Sequence, residues 1–96
     1  MSDLSEIKSL TYEVVSWANE TIPERTVSSA LIKMFEEIGE LTKDLRSPGE
    51  YADVMIMLLD LANMHDVDIA QAVWDKMAVN RSRKWTVTET GTYQHE

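Results

Sequence analysis

Residues 51–60 read Tyr51-Ala52-Asp53-Val54-Met55-Ile56-Met57-Leu58-Leu59-Asp60, and this stretch decides the fold. The uninterrupted apolar run Val54 to Leu59 covers nearly every direction around a helix, so a helix that carries it must be covered on most sides. The run is far below the ~20 residues of a membrane span. It predicts the buried central helix of an all-α bundle. Arg46-Ser47-Pro48-Gly49 marks the start of that helix: Ser47 can cap it, Pro48 suits the first helical position, and Glu50 falls where a capping-box partner would. It should end near His65.

Upstream, Leu31, Met34, Phe35, Ile38, Leu41 and Leu45 form an apolar stripe at helical spacing, predicted as the core face of a helix capped by Thr26 and reaching about Leu45. The short connection at 46–49 makes it an antiparallel neighbour of the central helix. A first helix, roughly Asp3 to Asn19, carries Leu4, Ile7, Leu10, Val14 and Trp17, with Asp3 and Glu6 as a capping box. Thr21 to Arg25, with Pro23 inside, breaks it. Downstream, Asp66-Val67-Asp68 turns the chain and Asp68 caps a fourth helix to about Lys84. Residues 1–85 are read as one domain and 86–96 as a polar, mobile tail, the last residues alone showing weak strand-like alternation. Three helices around an all-apolar central one leave surface uncovered in a chain of 96 residues, so a dimer or tetramer is expected.

Composition narrows the partners. With 17 acidic against nine basic residues the formal net charge is -8, which argues against binding a nucleic-acid backbone. There is no cysteine, hence no disulfide and no thiolate metal site, and no basic segment followed by an apolar leader. A cytoplasmic protein without nucleic-acid or membrane partners is expected, in the host cytoplasm if the source is viral.

The acids are partly focused. In Glu36-Glu37-Ile38-Gly39-Glu40, Glu37 and Glu40 lie three apart and project from one helix face; Glu50 and Asp53 repeat the spacing at the start of the next helix. Two pairs on antiparallel neighbours can converge. Four such carboxylates repel one another unless a cation joins them, and oxygen ligands that leave positions open for phosphate suit Mg²⁺. Two plainer readings stand beside this one: Glu50 as the capping partner of Ser47, and Asp53 as an acid favoured at a helix N-terminus. Gly39 inside a helix costs about 1 kcal/mol against Ala, which suggests a close approach there.

The fourth helix carries the opposite charge. Lys76, Asn80 and Arg83 share the face that begins with Ile69, Ala72 and Val73, so an inward apolar stripe ends in two cations and an amide. Beside a carboxylate-metal site this group reads as a phosphate clamp; alone, it is a basic helix terminus that complements the dipole. Asp60, on the face of Asp53, is read either as the group that orients Lys76 or Arg83 or as a solvated or capping acid. His65 and His95 do not suggest catalysis, and the six methionines read as core filler.

Glu36-Glu37-x-x-Glu40 followed by Glu50-x-x-Asp53 resembles the EExxE…ExxD signature of the all-α nucleoside triphosphate pyrophosphohydrolases related to MazG and the dimeric dUTPases. Together with Trp17, the Thr26 helix start, Lys33 and the segment Lys76 to Trp85, the chain looks most like the small dATP/dGTP pyrophosphohydrolase branch. The resemblance implies a four-helix MazG-like bundle, usually a dimer or tetramer, with Mg²⁺ or Mn²⁺ on Glu37, Glu40, Glu50 and Asp53. It implies that Glu36 supports a metal or the attacking water. On this reading Glu36 and Glu37 are catalytic, while Lys76, Asn80, Arg83, Lys33 and Trp17 contact the nucleoside triphosphate, Trp17 bordering its base. The gap between Glu40 and Glu50 is shorter than in typical MazG proteins. Two readings from other classes compete: an acidic helical interaction protein acting as a nucleic-acid mimic, and a regulatory dimerisation module without chemistry. Neither predicts metal dependence.

Overall fold

A break at Pro23, a tight turn at 44–47 and a turn at 65–68 divide the chain into helices α1 (Leu4–Thr21), α2 (Val27–Lys43), α3 (Pro48–Met64) and α4 (Ile69–Ser82), followed by strands β1 (Trp85–Val87) and β2 (Tyr93–His95). The computed structural model describes residues 4–96. The expected capping box of Asp3 with Glu6 therefore lies outside the described residues.

Local chemistry explains most of the boundaries. Thr26 is the N-cap of α2: its hydroxyl accepts from the Ser29 amide at 3.1 Å, and the Ser29 hydroxyl accepts from the Thr26 amide at 2.8 Å. Asp68 caps α4 by accepting from the Gln71 amide at 3.1 Å. Ser47 occupies the N-cap position of α3, with Pro48 next, but its side chain makes no capping bond. The turn after α3 passes through Asp66 in the left-handed region (φ 55°), and the Val67 amide reaches back to the Ala62 carbonyl, the usual way of closing a helix C-terminus.

Helix α3 is central, packed on both α2 and α1, whereas α4 meets α1. Its burial corrects the expectation from the apolar run: only Leu59 is a fully buried large side chain, and Leu58 is exposed. The α2 stripe is corrected as well. Ala30, Met34, Glu37 and Leu41 turn inward, while Leu31, Phe35 and Ile38 face outward, Phe35 at 70% exposure, and Leu45 is exposed in the turn beyond the helix end at Lys43. Val73 on α4, expected inward, is exposed too. The chain is accordingly open. Its accessible surface is 7425 Å², against about 5,600 Å² for a compact monomer of this mass. Its radius of gyration is 15.8 Å, against about 12.5 Å.

Where a polar, mobile tail was expected, the chain forms an antiparallel hairpin that pairs Trp85 with His95 and Val87 with Tyr93, so the fold is four helices plus a small two-stranded sheet. All six strand residues are exposed, so the weak strand-like alternation of the last residues has no buried face behind it. The signals present were β-branched and aromatic residues on either side of Gly91, which takes φ 89° in the turn. Trp85 packs edge-on against Tyr93 and His95, with ring centroids 6.2 and 5.7 Å away.

Candidate functional site

The inward rotation of α2 carries Glu37 toward the first turns of α3. One oxygen each of Glu37, Glu50 and Asp53 lie within 4.8 Å of one another. Glu50 is the most constrained. Its Oε2 is buried without a hydrogen-bond partner, and burial, then the charges of Asp53, Glu40, Glu37 and Asp44, push its carboxyl above the usual carboxylate range. The capping-box reading of Glu50 is not realised, since Ser47 makes no side-chain cap. A buried, unpartnered oxygen among converging acids is what a hard cation would satisfy, so the donor set fits a divalent metal.

Glu40 stands at the edge of this group. It adds to the field on Glu50, but its own carboxylate pairs with Lys43 at 3.5 Å. Glu36 is largely exposed and meets Lys33 at 3.6 Å; Lys33 is bonded more closely to Glu37, at 3.0 Å, and that bond chiefly raises the lysine's pKa. Gly39 is not explained by close approach, because a Cβ there would meet nothing within 4 Å.

A cavity of about 230 Å³ is lined by Glu37, Asp53, Lys33, Trp17 and Arg25, among others. Trp17 is half exposed on this wall, not a core residue of the chain. The fourth helix behaves differently. Lys76 lies on an apolar groove with Leu58 and Val73; the Asn80 carbonyl accepts from the Trp85 indole at 2.9 Å; Arg83 Nη1 lies 3.4 Å from His95 Nδ1. None of the three lines the cavity. Asp60 is not the orienter of Lys76 or Arg83: both its oxygens are taken by Arg25, at 2.6 and 2.8 Å. Sequence reasoning missed Arg25. The available signal was Asp60 itself, an acid within the most apolar helix, which requires a buried cation or donor.

The model of the family described as dATP/dGTP pyrophosphohydrolase matches residues 10–96. The chain belongs to this family. It is 37% identical over 91 residues to a dATP/dGTP diphosphohydrolase of Cyanophage S-2L, covering 93% of this chain and 87% of that protein. It is 46% identical over 83 residues to a dATP/dGTP diphosphohydrolase of Salmonella phage PMBT28, which covers 85% of this chain but only 29% of that longer relative. Among solved structures, the Cyanophage S-2L MazG-like pyrophosphohydrolase bound to dGDP and three catalytic Mn²⁺ ions per active site superposes with a TM-score of 0.82 at 36% identity, covering 100% of this chain and 94% of that one. The fold is thus a MazG-like bundle. Among the described residues, no helix is long and apolar enough to cross a membrane.

Proposed function

We propose that the chain hydrolyses the α–β phosphoanhydride of a purine deoxynucleoside triphosphate, dATP or dGTP, to the monophosphate and pyrophosphate in the presence of a divalent cation. The observation that carries this reading is the meeting of Glu37, Glu50 and Asp53, of which Glu37 and Asp53 line a cavity also walled by Trp17. An acidic trap for cation and phosphate lies next to an aromatic surface for a base. The names of the phage relatives and the dGDP and Mn²⁺ of the cyanophage enzyme support the substrate class.

In this reading Glu37, Glu40, Glu50 and Asp53 hold the cation, Mg²⁺ with Mn²⁺ as a substitute. When bound, such a cation supplies Lewis-acid polarisation of phosphate oxygens and makes water a better nucleophile. Glu37, or Glu36 beside it, orients the attacking water and accepts its proton at a carboxylate oxygen. Water attacks the α-phosphorus in line, the bond to the bridging oxygen breaks, and pyrophosphate leaves with the bonding pair. Lys33, now leaning on Glu36 and Glu37, contacts the phosphates, and Trp17 borders the base.

Lys76 and Arg83 neutralise the charge on the leaving phosphates, and Asn80 hydrogen-bonds sugar or phosphate. Because they do not line the cavity of one chain, these roles are assigned within an assembly of two or four chains. The outward Leu31, Phe35, Ile38 and Leu45 and the excess exposed surface support assembly, since that excess is larger than the about 800 Å² that each partner buries in a standard interface. The host cytoplasm is the proposed compartment.

The test is a panel of the four ribo- and four deoxynucleoside triphosphates, each with Mg²⁺ and with Mn²⁺, read for pyrophosphate and for orthophosphate. Pyrophosphate from dATP and dGTP that chelator abolishes is the expected result. Orthophosphate alone, or no release from any nucleotide, would overturn the proposal.

A further inference from the structure

The face of α3 that begins at Asp53 continues two turns on to Asp60, which is 3% exposed. Arg25, in the α1–α2 turn, grips both of its oxygens through Nε and Nη2. Nη2 also donates to Asn19 Oδ1 at 3.0 Å, and Nη1 to the Ile22 carbonyl at 3.3 Å. A guanidinium has five N–H donors in one plane. These contacts use four, and one donor on Nη1 has no partner among the described residues.

This side chain, 11% exposed, lines the same cavity as Glu37 and Asp53. Of the other polar groups on the wall, Ser29 serves the cap of α2, Lys33 meets Glu36 and Glu37, and the acids stand in their cluster; the Trp17 indole N–H is the remaining donor. The rest of the wall is apolar, chiefly Trp17, Ile22, Ile56 and Met57. The volume of about 230 Å³ is below that of a typical drug-sized pocket, about 300–1,000 Å³, and suits a flat ring more than a whole nucleotide.

We infer that Arg25 is the base-selecting residue of this site: its free Nη1–H donates to N7 of a purine whose ring lies against Trp17. The inference rests on the nucleotide reading above and adds the group that chooses the base. Adenine and guanine both present N7 as an acceptor, and pyrimidines have no such atom. A guanidinium held at four points cannot swing to follow an acceptor placed elsewhere, as a lysine could. A base that leaves this donor unmet in an apolar wall is therefore disfavoured. Adenine and guanine share N7, so one donor selects the purine class.

The test compares dATP with 7-deaza-dATP, which replaces N7 by C–H at nearly constant size. In the parent, kcat/KM should be about tenfold or more higher for dATP, the scale of one hydrogen bond to a charged donor. In Arg25→Met/Asp60→Leu, which removes the donor without leaving a buried charge, the ratio should fall to about one, with helicity retained by circular dichroism. Should that variant fail to fold, Arg25→Lys keeps a cation on Asp60 and should also lose most of the ratio. Equal rates on the two substrates in the parent would overturn the inference, as would variants that slow both equally. Neither result touches the proposed reaction, which fails only if no triphosphate releases pyrophosphate.

Discussion

Breaking the Arg25–Asp60 pair from either side should destabilise the chain unequally. Arg25→Met leaves both oxygens of a carboxylate that is 3% exposed without a donor. Stranding a buried charge in this way costs about 3–5 kcal/mol. Asp60→Ala is milder, because the guanidinium keeps Asn19 and the Ile22 carbonyl and loses only its two bonds to the acid, a loss of about 1–3 kcal/mol. Arg25→Met/Asp60→Leu removes the charge from both sides and should recover most of the loss, since apolar replacement of a whole buried pair is often neutral. In a domain of this size each kcal/mol moves the melting temperature by about 4–8 °C. Arg25→Met should then melt at least about 12 °C below the parent, with Asp60→Ala between them and the double variant near the parent. Thermal unfolding followed by circular dichroism, at fixed protein concentration with chelator present, gives all four values. If Arg25→Met melts within about 4 °C of the parent, or the double variant is worse than either single one, the pair is not the buried staple described here.

Asp53→Asn and Glu40→Gln should each lower turnover by about two orders of magnitude or more while the helical spectrum stays intact, because each removes metal-binding charge and not packing; near-parental turnover in either folded variant would refute the ligand assignment. Glu50→Gln tests the orphaned carboxyl without metal. The folded state raises the affinity of Glu50 for its proton, so metal-free stability should fall as pH rises from the ordinary glutamate value of about 4.3 through the raised one. The variant, which cannot ionise, should therefore be the more stable at neutral pH and lose its advantage below about pH 4; melts with chelator across that range would show the reverse slope if the reasoning is wrong. Gly39→Ala should stabilise by up to about 1 kcal/mol, because the added methyl meets nothing within 4 Å and improves helix propensity; a destabilised variant would mean that another chain packs there. Light scattering at micromolar concentration should give two or four chains, and a stable, fully active monomer would remove the role assigned to α4.

The four helices were legible because caps, breaks and apolar periodicity agree at Thr26, Pro23, Ser47-Pro48 and Asp68. Periodicity could not tell which part of a wide stripe faces its own chain. On α2, Met34 and Leu41 turn inward and Phe35 outward, because Glu37 must share the inner face with them. The hairpin showed only as weak alternation in the last residues, because each strand is three residues long and exposed. At the site, the spacing of Glu37, Glu50 and Asp53 was enough to bring them together, since a short turn between helices leaves few alternatives. The Arg25–Asp60 pair spans 35 residues and depends on how the α1–α2 turn lies across α3, which no local pattern encodes.

The thin core and the acidic cluster weaken the isolated chain for separate physical reasons, and their remedies differ. A fully buried large side chain contributes about 1.5–3 kcal/mol, and Leu59 is the one such residue among those described. Glu50, Glu37 and Asp53 add repulsion at the end of α3 where packing is already sparse. A partner that binds only the folded form adds RT ln(1 + [L]/Kd), about 2.7 kcal/mol at a hundredfold excess over Kd. A cation acts on the acids and leaves Phe35 and Leu45 in water; a second copy covering those side chains leaves Glu50 as it was. The chain therefore needs both kinds of partner to lose both liabilities, and the outward apolar stripe of α2 follows from the inward placement of Glu37 on the same helix. Turning the stripe in would bury more Leu and Phe, but it would also carry the carboxylate away from Glu50 and Asp53. Site formation and self-sufficient packing compete for the orientation of α2, and the observed rotation favours the site.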